Sequence, residues 1–158
     1  MFHLVEGAKL VEGLGPAADA AGRTSDVISL KDYTRCFIIV HINQGNAATV
    51  LLTPEQCTAV AGTGNKAIPA VPIWSDLDCA TSDALVARTA AATYTTDAGV
   101  ARKIVIFQVD AAALDVNGGF DCLRISTGAS NAANITAVQF LLAGPRYRQV
   151  TPPSAIVD

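Results

Sequence analysis

Charge is scarce in this chain, and what there is lies scattered. Asp, Glu, Lys and Arg make up 16% of the 158 residues, against roughly 25% in an ordinary soluble domain. The net charge is −3, and Lys and Arg stand mostly alone. A nucleic-acid footprint needs a basic stripe that displaces counterions from phosphate, so no nucleic-acid partner is expected. The one local basic cluster is Arg146, Tyr147 and Arg148. No apolar run approaches the roughly 18 residues that cross a bilayer as a helix, and no membrane partner is expected. The N-terminal residues lack a basic stretch leading into an apolar one. A cleaved secretory signal is therefore not expected, and folding is placed in a reducing cytoplasm.

Residues that carry chemistry are equally sparse. There are two histidines, His3 and His41, and His41 alternates with isoleucines as a sheet-face or core histidine does. The four cysteines, Cys36, Cys57, Cys79 and Cys122, form no C-x-x-C pair, which argues against zinc. They read as buried thiols acting as small hydrophobes, with disulfides open to a protein that meets an oxidising exterior. No G-x-S-x-G elbow, Walker A loop or dinucleotide fingerprint occurs. Asp115, Asn117 and Asp121 could offer oxygens to calcium, but the glycines fall too early and no bidentate Glu follows. A turn in which Asp and Asn satisfy local amides explains the same residues. No catalytic residue, metal or cofactor is expected, and the chain is not expected to be an enzyme.

Sustained helical periodicity is also missing, and β signals take its place. Segments 27–33, 35–42, 48–53, 84–96, 102–109, 120–126 and 135–142 are rich in β-branched residues or alternate apolar with polar. The run 35–42 is dense enough for a strand buried on both sides. Pro69 and Pro72 remove ladder donors from 68–74, which predicts an edge strand carrying Trp74. Asn117, Gly118 and Gly119 supply a turn. About eight strands with turn signals every 8–12 residues predict an all-β, antiparallel β-sandwich of jelly-roll-like form. Residues 1–26, broken by Gly7, Gly13, Gly15 and Pro16, read as an extended N-terminal arm that contributes one strand and docks on a partner or on the domain's flank. The sandwich domain then spans 27–148 and a tail 149–158.

One pattern occurs twice. A β-branched run from Cys36 leads through a polar turn into Asn46, Ala47 and Ala48, and a run from Cys122 leads into Asn131, Ala132 and Ala133. Each copy reads as a hairpin, and two related hairpins suggest facing sheets.

Taken together, Val27-Ile-Ser-Leu-Lys-Asp-Tyr33, Val40-His-Ile-Asn-Gln-Gly-Asn-Ala-Ala-Thr-Val50, Gly119-Phe-Asp-Cys122 and Ser126-Thr-Gly-Ala-Ser-Asn-Ala-Ala-Asn-Ile-Thr136 resemble small structural proteins from the head-gene clusters of tailed bacteriophages. The similarity runs from about residue 16 to Arg146. It implies a capsid decoration, or cement, protein: a β-sandwich on the outer surface of the expanded head, stabilising contacts between major capsid protein subunits. A homotrimer or other homo-oligomer is implied, made in the host cytoplasm. Leu4, Leu10 and Leu14 in the arm, Trp74, and Arg146, Tyr147 and Arg148 are then the expected contacts. On this reading, deleting residues 2–20 leaves a folded domain that binds particles less well. Two other classes remain open, a tail or head-to-tail component and a carbohydrate-binding adhesion module. The aromatic content of 6% counts against the latter, because sugar sites stack on aromatic rings.

Overall fold

A computed structural model describes residues 4–147 and 150–157. The fold is an all-β sandwich of two antiparallel sheets. The larger sheet has the order β1 (Ala8–Ala18), β12 (Asn134–Pro145), β4 (Tyr33–Gln44), β10 (Arg102–Asp110), β7 (Val71–Asp76) and β8 (Val86–Ala91). The smaller sheet is built on β11 (Cys122–Thr127) and β5 (Leu51–Cys57). Four two-residue strands flank that pair: β2 (Arg23–Thr24) and β3 (Ile28–Ser29) on β11, and β6 (Lys66–Ala67) and β9 (Tyr94–Thr95) on β5. A single helical turn, α1 (Leu4–Gly7), precedes β1.

Alternation along the strands makes the core. Ile38 and Val40 on β4, Val105 and Phe107 on β10, and Val138 and Phe140 on β12 face Leu52, Leu123 and Ile125 of the smaller sheet. Each fully buried side chain of this size contributes about 1.5–3 kcal/mol of transfer free energy. Tyr33 is buried as well, and its hydroxyl donates to the Pro153 carbonyl at 2.7 Å. Lys9 Nζ donates to the same carbonyl at 2.8 Å, and Ser29 N–H to Ala155 O at 2.7 Å. The C-terminal residues are thereby fastened to the sandwich, with Ala155 in its core.

Several sequence expectations change. The repeated segments are not hairpins. β4 and β5 lie in different sheets, as do β11 and β12, so both Asn-Ala-Ala segments are corners at which the chain passes between sheets. Both open the same way: Asn46 Oδ1 accepts from Ala48 N–H, and Asn131 Oδ1 from Ala133 N–H, each at 2.9 Å. β7 is not an edge strand but lies between β10 and β8. It tolerates Pro72 because pairing with β10 begins only at Ile73, while the register with β8 shifts between Val71 and Ile73. Pro54 sits inside β5 in the gap between the β9 and β6 pairings, where no partner needs its missing N–H.

The segment read as an arm supplies the strand β1. It pairs with β12 from Ala8 to Ala18, with register shifts after Glu12 and after Leu14. Gly13 is required there, since a Cβ at this position would lie 2.5 Å from Phe140 Cε2. Beyond the strand, buried Asp19 accepts from Arg23 Nε at 3.0 Å and from the Thr127 hydroxyl at 2.9 Å.

Candidate interaction face

An antiparallel sheet commonly packs one face on the core and turns a polar face to water. The smaller sheet follows that rule. Thr53, Glu55, Arg124 and Ser126 alternate outward, and Arg124 Nε donates to Glu55 Oε2 at 2.7 Å.

The larger sheet does not. Its core-facing residues are Cys36, Ile38, Val40 and Ile42 on β4 and Val105, Phe107 and Val109 on β10. By alternation Phe37, Ile39, Ile104 and Ile106 point the other way, and all four are half-buried. The register sets these outward residues in rows across the sheet. Leu10 faces Leu141, which faces Phe37. Gln139 faces Ile39, which faces Ile106, which faces Trp74. Ala137 faces His41, which faces Ile104. From Leu10 to Trp74 these rows cross five strands, about 19 Å at 4.8 Å per strand, with Gln139 and His41 among their apolar members.

Two depressions mark this face. One, of about 330 Å³, is lined by Pro16, His41, Arg102, Ile104, Ile135 and Ala137. The other, of about 370 Å³, lies between Ile39, Ile104 and Ile106 and the β7–β8 connection, with Cys79 and Leu85 on its wall. The connection forms one wall of that depression and the isoleucines the other.

The expected contact residues are dispersed. Leu10, 56% exposed, and half-buried Trp74 sit on the apolar face, at opposite sides of it. Leu4 is exposed on α1, whereas Leu14 packs against the core. Arg146 and Tyr147 are exposed beyond the end of β12, where Arg146 N–H donates to Asp32 O at 2.8 Å. Arg148 and His3 lie outside the described residues. Sequence reasoning missed Phe37, Ile39, Ile104, Ile106 and Leu141 as surface residues. The apolar runs around them are the available signal, and for 35–42 that signal is the same as the one for a strand buried on both sides.

The acidic turn follows the bland expectation for Asp115. Its carboxylate pairs with Lys66 Nζ and accepts from Gly118 N–H at 3.0 Å, and the Lys66 hydrogen bond holds its pKa below the usual value. Lys66 Nζ also lies 4.0 Å from the centre of the Phe120 ring. Among the described residues no group of three His, Cys, Asp or Glu side chains is placed to hold a metal ion. The turn, Val116–Gly118 and then Gly119 at φ 81°, is a 3-10 turn between sheets rather than a hairpin.

No protein-family model and no curated protein matches the chain. Solved structures do. The SPBc2 prophage-derived protein YomS aligns with 87% of this chain and 93% of its own at a TM-score of 0.51 and 9% identity. The PBSX exported protein XepA aligns over 87% of this chain but 39% of its own, with a TM-score of 0.43 and 16% identity. A chain of the Triatoma virus empty capsid aligns over 99% of both, at 0.35 and 11%. What the likeness to YomS establishes is a shared β-sandwich fold.

Proposed function

We propose that this chain is a virion structural protein of a tailed phage, a decoration protein that seats the apolar outer face of its larger sheet on the expanded capsid shell. The observation that carries the proposal is the apolar content of the larger sheet's outer face: Leu10, Leu141, Phe37, Ile39, Ile106 and Trp74 lie across five strands, among Glu12, Gln139, Gln108 and the Arg35–Asp110 pair. Large apolar side chains turned away from the core and left only half-covered mark a contact surface. Low charge density suits close packing against neighbours, and a bridge made only to the expanded shell stabilises that state by mass action. The motif resemblance and the prophage origin of YomS support a phage setting. The partner in this reading is the major capsid protein, and symmetric copies, as in a homotrimer, multiply the contacts. No catalytic role is assigned.

The test is binding to heads that lack this protein, measured by co-sedimentation. Ile106→Lys, on the apolar face, is expected to abolish co-sedimentation while the protein stays folded by circular dichroism. Ser126→Lys, on the polar face, is expected to bind as the parent does. Equal binding by all three proteins would remove the face from the account.

A further inference from the structure

Two of the four cysteines stand side by side. Cys57 ends β5, Cys122 opens β11, and the antiparallel register places them directly opposite each other. Residues so paired project from the same face with Cα atoms about 4.5–5.5 Å apart. A disulfide spans Cα separations of about 4.4–6.8 Å. Both thiols share the outer face of the smaller sheet with Glu55 and Arg124, since Leu52, Leu123 and Ile125 take the core side. Both are fully buried. The loop 58–65 folds over this region, and a Cβ at its Gly62 would meet Arg124 Nη1 at 3.5 Å. The Cys122 thiol donates to Asp121 Oδ1 at 3.2 Å. The other two cysteines are elsewhere: Cys36 is in the core on the larger sheet, and Cys79 is in the β7–β8 connection, its N–H donating to Arg102 O.

We infer that Cys57 and Cys122 are a disulfide-forming pair, closed by exchange with a small-molecule disulfide. One thiol loses its proton to solvent and attacks a sulfur of that reagent, releasing one small thiol and leaving a mixed disulfide on the protein. The second cysteine, likewise deprotonated, attacks the protein-bound sulfur and releases the second small thiol. Two protein thiols give up two electrons and two protons, and the reagent takes up both. Burial pushes the Cys57 thiol upward in pKa, with Arg124 opposing it. Exchange on the folded chain is therefore slow at neutral pH, because the thiolate is the attacking species. The bridge would join the two central strands of the smaller sheet and close the loop 58–121. That restricts the unfolded chain. The inference rests on the register alone and stands apart from the proposed virion role.

The experiment is to refold the full chain from denaturant in glutathione redox buffers of graded ratio, then block the remaining thiols and map the peptides by mass spectrometry. The expected product carries two blocking groups rather than four, links the peptides bearing Cys57 and Cys122, leaves Cys36 and Cys79 blocked, and melts at a higher temperature than the reduced chain. Cys57→Ser and Cys122→Ser each lose that product. Four blocked thiols at every ratio, or a different linked pair, overturns the inference.

Discussion

The Asn46 backbone N–H donates to the side-chain Oδ1 of Asn134 at 2.9 Å, and Asn134 Nδ2 returns a bond to Ala48 O at 2.7 Å and another to Ser130 Oγ at 2.9 Å. Two stretches that look alike in sequence are therefore fastened to each other in space. Each carries the chain across the sandwich in the opposite direction, and Asn134 clamps both. Gly45 allows the contact, since a Cβ there would lie 2.6 Å from Ala133 O.

Asn134 is fully buried and makes all three bonds. Asn134→Ala removes all three bonds from the part-buried Asn46 N–H, Ala48 carbonyl and Ser130 hydroxyl, a loss of about 2–3 kcal/mol. Asn131→Ala removes one exposed Asx-turn bond, a loss of about 1 kcal/mol. Urea unfolding of the two variants checks the order. Equal losses would show that the corners are not clamped through Asn134.

Lys103 gives a pH dependence whose sign follows from its partners. Its side chain is fully buried, and Nζ donates to Gln44 Oε1 at 3.0 Å, to Asp97 O at 3.1 Å and to the Asp97 carboxylate. That last bond holds the Asp97 pKa below its usual value. A carboxylate with a depressed folded-state pKa stabilises the fold above its unfolded pKa, about 3.9. The contribution is lost as pH falls further, through the folded value. Asp97→Asn is expected to cost about 2 kcal/mol at neutral pH and to flatten the decline in stability below pH ~4. Chemical denaturation from pH 7 to pH 3 measures both. An unchanged acid limb would assign the decline to other carboxylates.

Gly13 is predicted to be intolerant of any side chain. Phe140, against which its Cβ would press, is fully buried in the core, so the ring has no free space to enter. Gly13→Ala is expected to cost about 1–3 kcal/mol by overpacking, read as a fall in melting temperature. Gly119, unlike Gly13, has a positive φ, and nothing lies near its Cβ. Gly119→Ala strains the backbone without a clash, and the smaller expected loss separates the two mechanisms.

Deletion of residues 2–20 is predicted to unfold the chain rather than leave a binding-defective domain. It removes β1 from β12, takes Val11 and Leu14 from the core surface and deletes buried Asp19. It also leaves Arg23 without three of the acceptors it now has, Asp19 Oδ1, Gly15 O and Ala17 O. Loss of the cooperative thermal transition is the expected reading. A folded product would mean that β12 can serve as an edge.

The parts of the fold that could be read directly were those whose side chains alone decide the structure. β4, β10 and β12 are long and β-branched, and their turns are marked by Gly and Asn. β1 was less legible because Gly13, Gly15 and Pro16 are poor strand residues. They are accommodated by register shifts and by the close approach to Phe140, neither visible without the partner strand. Pro72 misled in the same way, since an interior strand tolerates proline where the ladder has not yet begun. The apolar outer face was hidden by a real ambiguity. An isoleucine facing outward, such as Ile39 or Ile106, has the same local signature as one buried in a second layer.

The most direct measurement is the copy number of this chain in purified particles, by quantitative mass spectrometry against the major shell protein. A number comparable with that of the shell protein is predicted. Absence from the particle, or a handful of copies at one vertex, would contradict a decoration role for the apolar face.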